Sequence, residues 1–168
     1  MSQINENFKK LAAAYNCREL YALSFCLFEF EANDCRSYPT AKNALIFPIE
    51  GSASFRLDQQ IFSIQAGKCL HACPGKLLTI TNPGDDLFRY IAIYYEGKVQ
   101  PIFETELNHY DALLLKLEQI LSYNRSALLA DAYRQEVLIE QFFELLFQDI
   151  QPAANLTDGN MLETVLEY

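Results

Sequence analysis

Residues 44–95 read ALIFPIEGSASFRLDQQIFSIQAGKCLHACPGKLLTITNPGDDLFRYIAIYY, and this stretch decides the fold of the chain. Short apolar runs alternate in it with residues that favour turns: Gly51, Gly67, Pro74-Gly75 and Pro83-Gly84. Strands that recur about every eight to twelve residues between such turns are typical of all-β sandwiches and barrels. The stretch therefore predicts a mainly β domain.

Individual strands are placed by the alternation of apolar and polar residues. Residues 53–57 and 61–64 alternate on either side of residues 58–60, which predicts a hairpin. Residues 32–34 interrupt the pattern at the end of the first strand. Strands are also expected at residues 20–31, 43–49, 68–73, 77–81 and 87–95.

Helical spacing replaces the strand pattern in the last third of the chain. Residues 111–123 and 131–150 each carry an apolar stripe at helical period. Asp111 and Asp131 stand at the expected helix starts, where a carboxylate can cap free amide groups. Because the connection is short, the two helices should be antiparallel. The predicted fold class is thus mainly β with a C-terminal α-helical hairpin.

The two ends of the chain differ from this central part. Residues 3–16 have the spacing of a short helix or ordered arm, and residues 161–168, MLETVLEY, begin a fresh amphipathic helix after a polar linker. We therefore expect the chain to be cut from something longer. The predicted organisation is an arm at 1–19, a barrel at 20–97, a helical dimerisation hairpin at 98–150, and a linker with the start of a further domain at 151–168.

The acidic composition argues against direct contact with DNA. The 168 residues carry 13 Lys and Arg against 22 Asp and Glu, a net charge of −9, whereas a nucleic-acid groove needs cations along one face. The N-terminus lacks the apolar core of a signal peptide, and no window approaches a membrane span. Five cysteines without framework spacing are expected to be free thiols in a reducing cytoplasm.

Several of these features together resemble the effector-binding half of AraC/XylS-family bacterial transcription regulators. Gly51 closes a strand, residues 67–75 (GKCLHACPG) are similar to the family's Gly-Asp-apolar-Pro-Gly segment with Lys68 at the Asp place, and Tyr94-Tyr95 match its aromatic pair. The resemblance implies a cupin-like (double-stranded β-helix or jelly-roll) barrel that binds a small effector. It also implies a homodimer through the C-terminal helices, with DNA contacted only by a helix-turn-helix domain beyond Tyr168.

The resemblance further implies a set of ligand-binding residues. Arg36 matches an arginine that lies in the pocket of sugar-sensing members, although it could equally be a surface arginine on a loop. Ile80, Tyr90 and Ala92 match other lining positions, and Phe88 shares a strand face with Tyr90. Since Ile80 and Ala92 are apolar, the pocket should be more apolar or larger than a sugar-binding pocket. The alternative is that the aromatic residues are core residues without a ligand.

The second helix has more apolar residues than one stripe requires. Leu138, Phe142, Leu145 and Leu146 are therefore the predicted dimer interface. The alternative is a helix wedged deeply into its own domain.

Metal and catalytic sites are not expected. Many cupins hold a metal, but the corresponding positions fall near Ser37, Pro39, Ala44 and Leu78, which cannot bind one. Cys69, His71 and Cys73 alternate along one strand, and at about 6.6 Å per two residues one ion could reach at most two of them. Packed side chains explain them better, and neighbours two apart do not converge as a nucleophile and its base must.

An effector-sensing domain without cofactor or enzymatic activity is therefore the favoured function. Two alternatives stay open: a free-standing cupin enzyme, such as an isomerase or dioxygenase, and a dimerisation module without a ligand.

Overall fold

The computed structural model describes residues 2–150, with side chains from Glu6 onward. The linker and helix start predicted at 151–168 lie outside the described residues. Within the described part, no helix is long and apolar enough to cross a membrane. The elements are α1 (Ser2–Asn16), β1 (Leu20–Phe30), β2 (Cys35–Pro39), β3 (Asn43–Glu50), β4 (Ser52–Leu57), β5 (Gln60–Gln65), β6 (Lys68–Ala72), β7 (Leu77–Thr81), β8 (Phe88–Gly97), β9 (Phe103–Glu106), α2 (Tyr110–Ser122) and α3 (Leu129–Leu146).

Two antiparallel sheets form the body of the domain. One has the strand order β1-β8-β3-β6-β9, and the other has the order β2-β7-β4-β5. Their facing side chains make an apolar core that includes Phe55, Leu70, Ile80 and Phe88. The predicted hairpin is confirmed, since β4 pairs with β5 from Ser52↔Gln65 to Leu57↔Gln60. The mainly β class with C-terminal helices is also confirmed.

Strand β8 is buried on both faces. It lies between β1 and β3 in the larger sheet, and its alternate side chains enter two different cores. Phe88, Tyr90 and Ala92 point between the two sheets, whereas Ile91 and Ile93 point toward the helices. A strand covered on both faces reads as a nearly continuous apolar run, which explains the sequence FRYIAIYY.

The three helices cover the outer face of the five-stranded sheet. The antiparallel arrangement of α2 and α3 is seen in the hydrogen bonds from Lys116 Nζ to Gln141 Oε1 (2.7 Å) and from Gln135 Nε2 to the Ile120 carbonyl (2.9 Å). Helix α1 joins them, because its Tyr15 ring stacks on Phe143 at a centroid distance of 4.4 Å. Residues 6–16 therefore pack on the helical side of the larger sheet.

The helix boundaries differ slightly from the prediction. His109 and Leu128 are the N-cap residues, and neither side chain makes a capping hydrogen bond. Asp111 and Asp131 stand in the first turns, where they still favour the helix dipole. Helix α3 ends at Leu146 rather than at residue 150.

Two strands escaped prediction, β2 because it is exposed and β9 because it is very short. Strand β2 is exposed along its whole length, and it exists because it pairs with β7 from Cys35↔Thr81 to Pro39↔Leu77. Strand β9 has four residues and pairs with β6. It lies inside residues 98–150, which were expected to be helical. Edge strands this short depend on partners distant in sequence.

His71 is a buried residue of the larger sheet, and its contacts Tyr95 and Phe103 belong to the core between this sheet and the helices. Its side chain is fully buried, its Nδ1 donates to the Pro101 carbonyl (2.9 Å), and its Nε2 lies 2.7 Å from the Tyr95 hydroxyl. Because a carbonyl can only accept, Nδ1 carries a proton; burial lowers the ring's pKa to about 4, so at neutral pH the ring is uncharged and Nε2 accepts the Tyr95 proton. The ring also stacks on Phe103 at 5.4 Å. These contacts explain why His71 on strand β6 is a packed side chain.

Gly51 should tolerate no side chain. Its φ of +76° is unfavourable for other residues, and an added Cβ would collide with the Leu87 carbonyl oxygen. We expect Gly51→Ala to lower the free energy of unfolding by about 3 kcal/mol, from left-handed strain and overpacking together. Gly75→Ala is the control, because its φ is +84° but its Cβ would meet nothing within 4 Å. If urea unfolding showed that Gly51→Ala and Gly75→Ala lower the free energy of unfolding equally, the predicted collision at Gly51 would be contradicted.

His71 should make stability depend on pH. Burial lowers its pKa from 6.5 to about 4, so on acidification the unfolded chain takes up the proton first. Stability is therefore complete above pH 6.5 and is lost toward pH 4, by roughly 2–3 kcal/mol for this group. Urea unfolding at pH 7 and pH 4.5 measures the loss. His71→Phe combined with Tyr95→Phe should reduce the pH slope, and an unchanged slope would show that other groups cause it.

Candidate ligand-binding cavity

A cavity of about 330 Å³ lies between the two sheets. Its walls come from strands β1, β2, β3, β6, β7 and β8 and from residues 40–42, which join β2 to β3. The end of β2 and this connection together make up the segment 38–42. The wall is largely apolar, with Ile46 and Leu78 on opposite sheets. This is the size and character of a pocket for a small organic ligand.

Small side chains in matching register create the space. Ser24 and Ala44 flank Tyr94 on neighbouring strands, and Ala72 lies beside Ala44 on the next. In the following row Ala92 again occupies the centre of the sheet. The opposite end of the barrel has no such gap, because the rings of Phe30, Phe55 and Phe88 fill it.

Three tyrosine side chains converge on the cavity. Burial raises the pKa of Tyr90, and the electrostatic influence of Tyr38 and Tyr94 raises it further. Burial also raises the pKa of Tyr94, again with help from Tyr38. All three residues line the cavity. Tyr90 stacks on Phe28 at 5.2 Å and Tyr94 meets the same ring edge-on at 6.4 Å, so their positions are set by packing.

The mouth of the cavity is formed by the segment 38–42, most of which is exposed. Thr40 anchors the segment, since its Oγ1 donates to the Cys73 carbonyl (2.8 Å) and accepts from the Lys76 amide (2.9 Å). Lys42 is the charged residue of the wall, and its Nζ lies 3.7 Å from Glu96 Oε2. This segment is therefore tied to the turn after β6, and among the described residues it contributes one ammonium group to the wall.

The predicted ligand residues divide into three groups. Tyr90 and Ala92 line the cavity. Ile80 and Phe88 are not among its lining residues: both are fully buried at the filled end, where Phe88 packs on Phe55 and Tyr90, and their role toward a ligand stays a prediction. Arg36 lies beside the cavity rather than in its wall, with its Cζ 4.5 Å from the Phe30 ring centroid.

Arg36 nevertheless faces the barrel interior. It is paired with Ile80 across β2 and β7, and directly paired residues share a sheet face. On the opposite face, Ser37 and Thr79 are hydrogen-bonded at 2.9 Å. The loop interpretation of Arg36 is wrong, because the residue belongs to strand β2.

Sequence reasoning missed Tyr38, Tyr94 and Lys42. Tyr94 had a usable signal, because it shares the two-residue period of Tyr90 and Ala92. Tyr38 had none, because the exposed strand β2 has no apolar alternation. Lys42 lies in the connection after β2, which likewise has no apolar alternation that could place it near a cavity.

The positions where other cupins hold a metal became part of the wall or point away from it. Pro39, Ala44 and Leu78 line the cavity, and Ser37 is hydrogen-bonded on the outer face. Pro39, Ala44 and Leu78 thus contribute apolar surface to the cavity at positions where other cupins have metal ligands.

The predicted dimer residues are corrected in part. Phe142 is fully buried and Leu146 nearly so, because both pack on the outer face of the five-stranded sheet, where Phe142 meets Phe47 at 5.5 Å. They are unavailable to a second subunit. Leu138 and Leu145 are half-buried and stay predictions. Helix α3 instead exposes Leu129, Tyr133 and Val137.

Comparison with known proteins identifies the fold. No family model and no curated protein matches the chain. Among solved structures, ToxT from Vibrio cholerae O395, bound to (E)-4-(8-methylnaphthalen-1-yl)but-3-enoic acid, aligns over 76% of this chain and 57% of its own, with 10% identity and a TM-score of 0.51.

Shorter similarities involve barrels alone. A Cupin 2 conserved barrel domain protein from Salinispora arenicola aligns over 45% of this chain and 65% of its own (16% identity, TM-score 0.42). The EutQ protein of Clostridium difficile aligns over 44% and 56% (18% identity, TM-score 0.40). This chain thus spans less than two thirds of each of the three structures. Its own fold is a cupin-like barrel followed by helices.

Proposed function

We propose that this chain is the effector-sensing and dimerisation part of a bacterial AraC/XylS-type transcription regulator. A small organic molecule binds in the barrel, and a helix-turn-helix domain beyond Tyr168 contacts DNA. Ligand binding shifts the population of barrel conformations and thereby changes how the dimer presents that domain. In this proposal the protein works in the cytoplasm, uses no metal or cofactor, and is not an enzyme.

The cavity is the observation that carries the proposal. A barrel that served only as a dimerisation module could be filled throughout, as it is around Phe88, yet about 330 Å³ is left open beside Ala92. Among the described residues, the wall combines apolar side chains with hydroxyl groups and the ammonium group of Lys42, and it has no carboxylate, imidazole or thiol. Such a wall can bind and orient a ligand, whereas acid–base or nucleophilic catalysis needs a matched pair of groups.

The similarity to ToxT also supports the proposal. ToxT is an AraC-family regulator, and its match extends beyond the barrel to 76% of this chain. It was crystallised with an aryl-substituted butenoic acid. A small molecule with an apolar body is compatible with the size and wall of the cavity described above.

Ligand binding should depend on the space beside Ala92. A library of small acids, alcohols, amides and sugars, screened by thermal unfolding, should contain compounds that raise the Tm by about 5 °C when near saturation. Ala92→Phe should abolish the increase because its ring occupies the cavity. Ala112→Phe, on the exposed side of α2, is the matched control.

Three results would count against this function. If Ala92→Phe binds the same compounds equally well, the site lies elsewhere. If no compound in the library shifts the Tm, the module without a ligand is favoured. A stoichiometric metal found by elemental analysis, together with turnover, would favour the cupin enzyme.

The proposed homodimer uses the exposed stripe of α3. Leu129, Tyr133 and Val137 are spaced four residues apart on one helix face, with 87%, 71% and 44% of their surface exposed. A two-fold helix–helix contact would bury this stripe against its own copy. Leu138 borders the stripe from the half-buried side.

The stripe predicts which substitutions separate the subunits. Leu129→Glu combined with Val137→Glu should convert a dimer to a monomer in light scattering, because unpaired carboxylates in the contact cost about 3 kcal/mol or more. Leu115→Glu on α2, where the leucine is 57% exposed, should leave the dimer intact. A wild-type monomer at high concentration would contradict the proposal, as would dissociation by Leu115→Glu alone.

A further inference from the structure

The edge strands of the two sheets differ in how they are protected from other strands. An open edge presents N–H and C=O groups to which another strand can hydrogen-bond, and charges, proline, irregular geometry or a covering element normally prevent this. The edge strands are β1 and β9 in the larger sheet and β2 and β5 in the smaller sheet. Three of them carry such protection, and β5 does not.

The three protected edges each use a different device. Strand β1 has an irregular register between Tyr21 and Ser24 and exposes Glu29. Strand β2 carries Arg36 and ends in Pro39, which has no amide hydrogen. Strand β9 has only four residues, two of them glutamates, and α1 lies against it. These strands are therefore poor templates for a further strand.

Strand β5 has none of these devices. Its segment 59–66, QQIFSIQA, contains no charged residue, proline or glycine, although 21% of the chain is charged. The strand pairs with β4, and among the described residues no strand pairs with its other edge. Ile61 has 68% of its surface exposed. A short, uncharged segment of this kind at a free edge is suited to strand addition.

The charge of the molecule favours a second copy of the chain as the added strand. Two copies that each carry a net charge of −9 repel each other over most of their surface. Along residues 59–66 their backbones can meet without opposing like charges. A charged peptide would gain no ion pair from this segment, so the segment fits an uncharged strand like itself.

An antiparallel pair of β5 strands is self-complementary about Ser63. In this register Ile61 of each copy lies opposite Gln65 of the other, and Phe62 lies opposite Ile64. Phe62 and Ile64 belong to the inner face, whereas the other three residues belong to the outer face. Paired residues share a sheet face, and an aromatic residue opposite a β-branched one stabilises the pair. A two-fold axis through Ser63 thus matches both faces.

We propose that β5 is a contact between two copies of this chain, in which their four-stranded sheets join into one continuous sheet. The contact is isologous, and it lies on a different sheet from the helical stripe of α3. Dimers formed through α3 can therefore associate further through β5. Since stable interfaces bury about 800 Å² per subunit and one short strand buries less, the β5 contact forms at high concentration.

Hydrogen exchange at single amides tests the contact. The experiment uses Leu129→Glu combined with Val137→Glu, which removes the proposed α3 contact. Raising the protein concentration should slow exchange about threefold or more at alternate amides of residues 61–65, because every second residue of β5 directs its N–H toward the new strand. The amides of β4 are the control, because β4 already has β5 and β7 on its two sides. Sedimentation of the same samples should show dimers.

Charged substitutions on the two-fold axis test the register. In the same background, Ser63→Lys should weaken association about fivefold or more, because two like charges then face each other across the pair. Ser63→Glu should weaken it similarly. A mixture of these two variants should associate more tightly than either alone, since opposite charges then meet. Ala112→Lys, on the exposed side of α2, adds the same charge as Ser63→Lys and should have no effect.

Three results would overturn the β5 contact. The first is equal weakening by Ser63→Lys and Ala112→Lys, and the second is a mixture that associates no more tightly than its components. The third is exchange in β5 that is the same at every concentration, which would mean that no second copy binds there. None of these results concerns the cavity, so the proposed ligand-binding function is tested separately.

Discussion

The burial of β8 on both faces is the constraint on which the rest of the structure depends. One face of this strand needs a second sheet, and the other needs a helical layer, because either face left in water would expose a row of large apolar side chains. The sheet of β2, β7, β4 and β5 meets the first need, and α1, α2 and α3 meet the second. The second sheet and the helical layer thus each bury one face of β8.

The cavity follows from the same strand by a change in side-chain size. Along its inner face, Phe88 fills the barrel, Tyr90 borders the open space, and Ala92 leaves a gap that small residues on adjacent strands extend. Close packing is the norm in protein interiors, so a gap of about 330 Å³ is a departure from it, and this departure supports the proposed binding function. Thr40 keeps the entrance open by anchoring its segment to the next turn.

In the proposed function, ligand binding and assembly use opposite faces of the larger sheet. The positive cavity wall around Lys42 lies on the inner side of the larger sheet, and the exposed stripe of α3 lies on its helical side. The inner residues Tyr90 and Tyr94 alternate along β8 with the outer residues Ile91 and Ile93, which pack in the core on the helical side. This shared strand gives the proposed effector a physical route to the dimer contact.

The sequence by itself determined the strands with alternating residues, the hairpin of residues 52–65 and the helix pair, because these depend on local periodicity and residue type. Tertiary structure alone decided the strands β2 and β9, whose pairing partners are distant in the chain. It also decided which face of α3 is buried, so that Phe142 belongs to the core and Leu129 to the surface. Likewise, only the register of separate strands could show whether Phe88 or Tyr94 lines the cavity, since both alternate equally well along β8 and differ in what lies opposite them.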